Sequence, residues 1–485
     1  MKREERYISR QCRKYGRNEI LWHAEKAALK AGIPLDVLLE KIFDDTANRI
    51  KEERMNQRIM IEDAIRRLGI RLPNGTLKKE YSQTFEIPVQ IREKISGLRL
   101  EGADSLGLLF EEVEPGQFRL HGKVMDGNGG DMKLKLKYQT IEGEPESELE
   151  IPIAFNPNPR DLWRNIPSDP DVCPFHKPDE DKSFIKVKTD DVEDGRKDVA
   201  VASQRGRSHA QEGKPRDDDF KICHDKDSDW YVLAVADGAG SAKYSRKGSE
   251  IACRTVVEQC LKLLSENYEF EDAITKWAAD RTDDEKRMKV THDVVDIVLR
   301  KGAVKAFEAI KKVADANPDY KLKDFATTLM FAICKKYDFG WFIASFWVGD
   351  GAMAIYDEKN ESVKLLGMPD EGEFSGQTRF LTMPEIFHDR EVIAKRLRMA
   401  IVPDFTALFL MTDGVSDPMF ETDRNLNDYN KWKEFFGKLK TGFPEDEMAG
   451  VDFSSRNEET GQQLLNWLDF WSPGNHDDRT VAILY

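Results

Sequence analysis

Aspartates stand at the ends of several apolar runs in this chain. Asp237 follows YVLAVA and precedes Gly-Ala-Gly, Asp350 follows WFIASFWVG, and Asp413 follows ALFLMT. Asp417 comes four residues after Asp413, and Asp477 stands shortly before the final run TVAILY. Carboxylates gathered in one cleft repel each other and take up protons unless cations neutralise them. Hard divalent cations such as Mg²⁺ and Mn²⁺ prefer oxygen ligands, so the pattern predicts a metal centre.

The chemistry that such a centre supports is phosphoryl transfer. Two divalent cations about 3.5–4 Å apart can hold a hydroxide between them and clamp a phosphoryl group. Gly238 has no Cβ, so its carbonyl oxygen can approach a metal closely. A lone Asp-Gly pair indicates a turn, as we expect at Asp126. Five acidic segments in one region, the fifth being Asp217–Asp219, instead favour a shared site.

The composition disfavours several classes of function. The chain has 485 residues and a net charge of −15, which disfavours nucleic acid as the main partner because phosphate backbones bind basic surfaces. Its six cysteines form no CxxC pair, which indicates a reducing compartment. No run reaches the roughly 18 apolar residues that a membrane-spanning helix needs. We therefore expect a cytoplasmic protein with no membrane partner, in which the basic segment 1–19 forms a solvated helix face.

The N-terminal segment, residues 1–70, has a helical pattern. Apolar residues recur at helical spacing in two places, which predicts two or three helices that form a small bundle or a docking arm. Pro34 fits the start of a helix and Gly69 fits the end of one. The first predicted face comprises Leu35, Leu38, Leu39, Ile42 and Phe43, and the second comprises Ile59, Met60, Ala64, Ile65 and Leu68.

From residue 71 the pattern changes to strands. Runs such as MKLKLKYQT alternate apolar and polar residues between Gly-rich turns, which predicts a small β-sandwich over residues 71–154. Residues 155–195 are dense in Pro, Asp and Asn, which predicts a linker without helix or strand. Leu162 and Trp163 are expected to hold this linker against a neighbouring surface. Strand-like and helical stretches alternate over residues 196–485, which indicates a large α/β or α+β domain.

Residues 199–485 resemble the metal-dependent protein phosphatases of type 2C, in their bacterial branch. Six motifs stand in the order of that family: RDDDF, ADGAGS, FATTLMFAI, WVGDG, TDGVSD and DDRT. The resemblance implies an α+β fold, a β-sandwich of two antiparallel sheets flanked by helices, with the metals at one end. Residues 72–154 resemble the immunoglobulin-like modules of bacterial proteins. The expected order is therefore a helical segment, an immunoglobulin-like sandwich, the linker and the phosphatase domain.

The resemblance also implies where two Mn²⁺ or Mg²⁺ ions bind. Asp237 would bridge both ions, and Asp413 and Asp477 would complete the first site. The Gly238 carbonyl would serve the second ion, and Asp218 would hold its waters from the outer shell. Asp237, Asp413 and Asp477 would thus be the catalytic acids. A hydroxide between the ions would attack phosphorus directly, without a covalent phosphoenzyme.

A third ion is implied at Asp350 and Asp417, which would share Asp413 with the first site. The rest of its shell would be water, which Mg²⁺ and Mn²⁺ retain readily. We therefore expect this ion to bind more weakly than the core pair.

The sequence departs from the family at the position of its general acid. The histidine that some members have after the Asp-Gly pair is Ala239 here, so the leaving oxygen must receive its proton from another source. His209 and His476 are the nearby candidates, although a lone histidine more often has a structural role. Asp478 replaces the family's asparagine and adds a negative charge.

A second departure concerns the arginine that binds phosphate in many members. Its position, five residues before Asp218, is Gly213 in this sequence. Arg207 is the favoured replacement, and Arg205 and Arg216 are the alternatives.

These features predict a Mn²⁺- or Mg²⁺-dependent phosphatase that acts on phosphoserine and phosphothreonine in proteins. The segment LWRNIPSDPD resembles parts of bacterial phosphatases that work beside a serine/threonine kinase and a von Willebrand-type protein, which implies those partners. The N-terminal half would recruit or position a partner, and the loops 367–384 and 418–462 would set specificity. Two alternatives stay open: a catalytically silent protein that binds phosphoproteins, and a phosphatase of small phosphate esters. All the metal aspartates are present, which favours an enzyme over the silent protein.

Overall fold

A computed structural model describes residues 17–140, 145–171, 173–176, 182–188, 195–266, 269–370 and 378–485. The chain divides into two compact units, Met1–Pro159 and Arg160–Tyr485. The predicted domain boundaries at residues 70, 154 and 195 stay predictions. Most of the basic segment 1–19 and part of the loop 367–384 lie outside the described residues. The five cysteines within the described residues form no disulfide bond with one another.

Two helices open the N-terminal unit: α1, Arg17–Ala31, and α2, Leu35–Arg67. α2 is a single helix of 33 residues because no Gly or Pro interrupts its sequence. It begins after Pro34, and Gly69 follows its end with a φ of 58°, the left-handed conformation that glycine adopts readily. Among the described residues, no helix is both long and apolar enough to cross a membrane.

The predicted second apolar face of this segment is correct at Ile65 and Leu68 and wrong at Ile59 and Met60. Ile61 and Ile65 are buried and join the core of the N-terminal unit, whereas Ile59 and Met60 are exposed. The run Ile-Met-Ile offers an apolar side chain in three successive directions, so helical spacing alone does not fix the buried face. Packing on the strands of the same unit decides it, and Glu62 accepts a hydrogen bond from Ser147 Oγ at 2.5 Å.

The rest of the N-terminal unit consists of strands in two sheets, one ordered β1-β7-β6-β3 and the other β2-β5-β4. Buried residues from both sheets form one core, which includes Phe118, Leu136 and Ile151. The immunoglobulin-like identity of this unit stays a prediction. The elements are β1 Gly75–Thr76, β2 Glu80–Glu86, the short helix α3 Val89–Arg92, β3 Ser96–Glu101, β4 Leu108–Glu114, β5 Gln117–Lys123, β6 Gly130–Gln139 and β7 Ser147–Asn156.

The C-terminal unit mixes strands and helices. Its first half comprises β8 Lys182–Val187, β9 Val199–Gln204, α4 Arg207–Glu212, β10 Asp219–Asp225, β11 Trp230–Ala236, α5 Ser245–Glu266, α6 Glu269–Ala279, α7 Asp284–Val290, a π-helical stretch Thr291–Arg300 and α8 Lys301–Asp315. Its second half comprises β12 Leu329–Tyr337, β13 Gly340–Val348, β14 Ala352–Asp357, β15 Ser362–Leu365, α9 Glu385–His388, α10 Arg390–Ala394, β16 Leu397–Val402, β17 Ala407–Met411, α11 Asp413–Phe420, α12 Tyr429–Thr441, α13 Thr460–Trp467 and β18 Arg479–Leu484.

Two antiparallel sheets organise this unit. One has the order β10-β11-β12-β13-β16, and the other has the order β15-β14-β17-β18-β9-β8. One buried cluster draws side chains from both sheets, such as Leu233 of the first and Leu410 of the second. Two further clusters join the opposite faces of the sheets to helices, α5 and α8 on the first and α12 and α13 on the second. The predicted α+β class is confirmed.

The prediction that residues 155–195 contain neither helix nor strand is wrong. β8 lies inside this range and pairs along its whole length with β9, at the edge of the six-stranded sheet. Its sequence KSFIKV has the β-branched and aromatic residues that strands favour. Trp163 does contact a neighbour, because its ring lies 4.4 Å from that of His476. Leu162 does not hold the segment in place, since it is 68% exposed.

Candidate functional site

Strand ends bring the predicted acids together. Asp237 follows β11, Asp350 follows β13, and Asp413 begins α11 directly after β17. Carboxylate oxygens of these three residues all lie within 4.8 Å of one another, and we name them the aspartate trio. Asp350, which the sequence assigns to a third ion with Asp417, therefore lies in the central group itself.

Two threonines hold the backbone of Asp237 in place. The Asp237 amide donates to Thr328 Oγ1 at 2.8 Å, and the Thr328 amide donates back to the Asp237 carbonyl at 2.8 Å. Thr327 Oγ1 donates to the same carbonyl at 2.9 Å. These bonds link the loop after β11 to the start of β12. The carboxylate is thereby presented from a fixed backbone.

Gly238 lies where no other residue fits. A Cβ at this position would stand 2.6 Å from the backbone oxygen of Asp217 and 3.0 Å from its Cβ. The glycine therefore allows the Asp-Gly loop to pack against the acidic segment before β10. The sequence assigns the Gly238 carbonyl to a metal, and close packing is a second reason for glycine here.

Asp218 is a buried carboxylate with one satisfied oxygen. Its Oδ2 accepts hydrogen bonds from Thr412 Oγ1 at 2.9 Å and Thr480 Oγ1 at 2.5 Å. Its Oδ1 is buried with no hydrogen-bond partner among the described residues, and the same holds for Oδ1 of Asp350. Buried polar atoms without partners are costly, and a cation with its water shell would satisfy both oxygens. The residues present thus fit a divalent cation.

The electrostatics of the aspartate trio also call for a cation. Burial raises the pKa of Asp237 well above its ordinary value, and the charges of Asp413 and Asp218 raise it further. Burial raises the pKa of Asp413 well above its ordinary value too, followed by the charges of Asp350 and Asp477. Burial and the charge of Asp478 raise the pKa of Asp218 to about 8. The charges with the largest effect on Asp237 and Asp413 are all carboxylates, so these two acids stay ionised together only if positive charge is added.

A second acidic group stands beside the first and contains its own cation. Ligand atoms of His209, Asp477 and Asp478 lie within 4.8 Å of one another, and we name these residues the histidine group. His209 Nδ1 is 3.0 Å from Asp478 Oδ1, and its Nε2 is 3.6 Å from Asp217 Oδ2. Asp478 also accepts the backbone amides of Gly206 at 2.6 Å and Asp217 at 2.5 Å.

Within the histidine group, the charge of His209 balances that of Asp478. Asp478 raises the pKa of His209 to about 10, although burial acts in the opposite direction. Burial would raise the pKa of Asp478, but the charge of His209 and the donated amides outweigh it and lower that pKa. Asp478 is therefore an ionised acid with a protein partner. The extra charge that it adds relative to the family's asparagine is met by His209.

Asp477 and Asp417 lie at the edges of these groups. Asp477 is exposed and belongs to the histidine group, yet its charge acts on both Asp237 and Asp413. Asp417 is exposed on α11, and burial of its carboxylate followed by the charge of Asp350 raises its pKa to about 6. Both acids are thus near the aspartate trio without being part of it.

The predicted phosphate-binding arginines make other contacts. Arg205 donates to the carbonyls of Ile166 and Lys214, and Arg216 donates to the carbonyls of Asp218 and Ser203. Both are buried. Arg207 on α4 donates to Asp469 Oδ1 at 2.5 Å and lies over the ring of Trp471. A role in phosphate binding stays a prediction for all three: Arg205, Arg207 and Arg216.

His476, the second predicted proton donor, packs against neighbouring aromatic residues. His476 lies between Trp163 and Trp471, with ring centroids 4.4 and 5.1 Å away. Burial, followed by the charges of Arg207 and Arg479, lowers the pKa of His476.

Sequence reasoning did not assign roles to the threonines around the acids. Thr327 and Thr328 fix Asp237, and Thr412 and Thr480 fix Asp218. The sequence does contain a signal for these roles, because each of the four threonines lies beside an acidic motif or in the Thr-Thr segment. The His209–Asp478 contact has no such local signal, since its two residues lie far apart in sequence.

A sequence profile described as protein phosphatase 2C matches residues 205–464, which is more than half of the chain. The chain belongs to the protein phosphatase 2C family. The matched range contains the aspartate trio, Asp218 and Asp417, whereas Asp477 lies beyond its C-terminal end. Comparison with curated proteins gives no match.

Several solved structures of phosphatases are similar to this member of the protein phosphatase 2C family. A bacterial serine phosphatase has 16% identity and a TM-score of 0.33, and the match covers 59% of this chain and 96% of that one. The serine/threonine phosphatase Stp1 from Staphylococcus aureus has 15% identity and a TM-score of 0.34, covering 59% and 93%. The serine-threonine phosphatase 2C from Toxoplasma gondii has 16% identity and a TM-score of 0.37, covering 62% and 98%.

Proposed function

We propose that this protein is a Mn²⁺- or Mg²⁺-dependent phosphatase that hydrolyses phosphoserine and phosphothreonine in proteins. The observation that carries the proposal is the aspartate trio, whose oxygens lie within 4.8 Å of one another. The buried Oδ1 atoms of Asp218 and Asp350, without partners among the described residues, support it. Membership of the protein phosphatase 2C family adds the reaction class.

The residues that would hold the ions follow from their positions. Asp237 is central, with Asp413 and the Gly238 carbonyl beside it, and Asp477 adds a carboxylate from the histidine group. Asp218, held by two threonines, would act on the waters of the ion. When bound, divalent cations acidify a water so that it attacks phosphorus, and they neutralise the charge of the phosphoryl group.

The chain's own groups determine how the acids are presented. Thr327 and Thr328 fix the backbone of Asp237, and Thr412 and Thr480 orient Asp218, so that carboxylates are held ready before substrate binds. His209 lies 3.0 Å from Asp478, whose charge raises the pKa of the histidine, so His209 is engaged with a buried carboxylate. We assign it a positioning role, and the leaving oxygen takes its proton from water.

A cleft close in sequence to the threonines that fix Asp237 supports a substrate larger than phosphate alone. A cleft of about 600 Å³ borders Ala326, the residue before Thr327, and extends to Ser241, Lys323 and Glu385. This volume accommodates several residues of an extended segment. We propose a phosphoprotein substrate that a partner kinase supplies, and the segment LWRNIPSDPD supports a further von Willebrand-type partner. The N-terminal unit would position these partners.

Hydrolysis assays test the proposed function. We expect release of phosphate from a phosphothreonine peptide and from p-nitrophenyl phosphate when Mn²⁺ is present, and none after EDTA. Re-addition of Mn²⁺ should restore the rate. Binding of the phosphopeptide without turnover at any metal concentration would contradict the enzyme and favour the silent phosphoprotein-binding alternative. Turnover of p-nitrophenyl phosphate alone would favour small phosphate esters.

A further inference from the structure

A basic cleft adjoins the histidine group in the C-terminal unit. It has a volume of about 230 Å³, and its charged lining consists of Arg160, Arg164, Lys182, Arg205, Arg207 and the single acid Asp469. Five cations thus face one carboxylate in a chain whose net charge is −15. Such a local excess of positive charge focuses anions into a concave site.

One wall of the cleft is fixed to α4. The Ile166 amide donates to the Ala210 carbonyl at 2.9 Å, and Arg205 Nη2 donates to Asn165 Oδ1 at 2.6 Å. The Arg164 amide donates to the side chain of Gln211 at 2.5 Å. The segment that carries Arg160 and Arg164 therefore has a defined position, and the guanidinium of Arg164 is exposed.

The cleft leads towards the candidate metal ligands. A small neighbouring cavity is lined by Arg205, Arg207 and Asp469, which also line the cleft, and it reaches His476 and Asp477. Arg207 lies at the junction and donates to Asp469 Oδ1 at 2.5 Å. A group bound in the cleft would therefore be a near neighbour of a phosphate held at Asp477.

The cations of this region are incompletely balanced. Burial lowers the pKa of Arg207; Asp469 opposes this effect, and the charge of Arg160 adds to it. An anion bound between these like charges would reduce the repulsion between them.

We propose that the cleft binds an oxyanion of the substrate, either a second phosphate or a carboxylate, that flanks the phosphoresidue being hydrolysed. This specificity subsite rests on the proposed function, because it requires a peptide whose phosphate lies at the aspartate trio. Arg164 and Lys182 are exposed and provide direct contacts, while Arg205 and Arg207 provide charge from the wall.

Hydrolysis of matched phosphothreonine peptides by the full-length protein with Mn²⁺ tests the subsite. The peptides carry alanine, glutamate or a phosphonate analogue of phosphoserine at each flanking position in turn. At the position that reaches the cleft, both anions should raise kcat/KM over alanine by about tenfold, the size expected for one charge-assisted hydrogen bond in a partly exposed site. p-Nitrophenyl phosphate is the reference substrate without a flanking group.

Charge reversal at the cleft distinguishes binding in the subsite from a general electrostatic attraction of anionic peptides to the protein. Arg164→Glu should abolish the preference for anionic peptides, and Arg254→Glu, at a half-exposed arginine on α5, should retain it. Equal kcat/KM for all peptides, or a preference that survives Arg164→Glu, overturns the proposal. If Arg164→Glu changes only the inhibition by free inorganic phosphate, the cleft binds free phosphate and not a flanking group of the substrate. That result also overturns the proposal. Absence of any hydrolysis, including that of p-nitrophenyl phosphate, contradicts the proposed function itself.

Discussion

The aspartate trio and the histidine group lie side by side and are built from the same kind of residue. Both place acids at strand ends, and Asp477 of the histidine group is the exposed member of the two sets. In the histidine group, His209 lies 3.0 Å from Asp478 and gives the acid a cation of the chain's own. In the aspartate trio, the pKa values of Asp237 and Asp413 are raised first by burial and then by the charges of other carboxylates.

The difference shows how two neighbouring acidic groups take different roles. A buried acid with a protein cation is already stable and can serve as a structural anchor. A group of buried acids without one is unstable alone and becomes stable when a metal ion binds. We therefore propose metal binding at the trio and loop anchoring by Asp478, and substitutions can test each proposal.

The largest effect is expected from Asp237→Asn, which removes the central charge of the trio. Activity should fall by about 10³-fold or more, because the metal ligands lose their shared carboxylate. Without metal, the same change relieves repulsion and should raise the Tm by about 2 °C, while stabilisation by Mn²⁺ disappears. Phosphatase assays and thermal unfolding with and without Mn²⁺ measure both effects.

Asp126→Asn is the matched control for this substitution. Asp126 also precedes a glycine, but it lies in an exposed turn of the N-terminal unit and pairs with Lys78 at 2.7 Å. We expect no change in activity or in stabilisation by Mn²⁺. A folded Asp237→Asn protein with wild-type turnover would contradict the assignment of the metal centre to the trio.

Substitutions in the histidine group should change stability through a coupled pair. His209→Gln or Asp478→Asn alone leaves a buried charge without its partner and should lower the free energy of unfolding by about 3 kcal/mol. The double variant should lose less than the sum of the two, by about 1 kcal/mol or more. Urea unfolding of the four proteins measures the coupling, and additive losses would show that the pair is not an anchor.

A second histidine–aspartate pair serves as the control for that cycle. His224 and Asp229 lie 2.9 Å apart at the turn between β10 and β11. Their substitution should also affect stability, but Mn²⁺ affinity measured by calorimetry should change only for the His209 and Asp478 variants, since these alter the loop that carries Asp477.

Removal of metal should make stability depend on pH in a defined direction. The pKa of Asp217 is raised to about 7 and that of Asp218 to about 8, mainly by burial. Between the unfolded value near 3.8 and these values, the folded protein binds more protons, so its stability falls as pH rises. His209, with a pKa raised to about 10, acts in the same direction above about pH 6.5.

The expected effect is on the order of several kcal/mol between about pH 5 and pH 8 in EDTA. Saturating Mn²⁺ should reduce it strongly, because bound carboxylates no longer take up protons. Urea midpoints across this range measure both conditions. Stability that rises with pH in EDTA would contradict the burial of like charges at this site.

The smallest effect is expected from Asp417→Ala. Asp417 is exposed and lies outside both acidic groups, so the fold and the core metal sites should persist. Loss of a weakly held third ion should lower kcat by only a few-fold, measured against Mn²⁺ concentration, with bound metal counted by calorimetry. Asp423→Ala, at an exposed neighbour whose charge also acts on Asp417, should leave kcat unchanged. An unchanged kcat for Asp417→Ala would show that a third ion has no catalytic role.

The acids of the site were predictable because their signals are local. An apolar run followed by Asp-Gly marks a strand end, and Asp237, Asp350 and Asp413 all lie where such ends meet. The stretch after the Asp-Gly motif is also a local signal, and it leads into the helix α5. The spatial order of the strands decides which acids lie closest together. A local sequence pattern carries no information about that order.

Other features depend on contacts that the sequence does not mark. His209 meets Asp478 only because β9 pairs with β18, which brings the two loops together. The buried face of α2 depends on the strands that it packs against, so an apolar run fits more than one register. β8 is short and stands among polar residues, and only its pairing with β9 makes it a strand.

That pairing also affects how the chain can be shortened. The profile match spans residues 205–464, whereas β8, β9 and β18 lie outside it and are adjacent in one sheet. A fragment cut to the matched residues would lose half of the six strands and leave β17 as an open edge, with unpaired amides and carbonyls ready to join other chains. Cutting after Val187 would similarly bare β9. β8 and β9, which precede the matched residues, thus cover strand edges that a shorter fragment would expose to other chains.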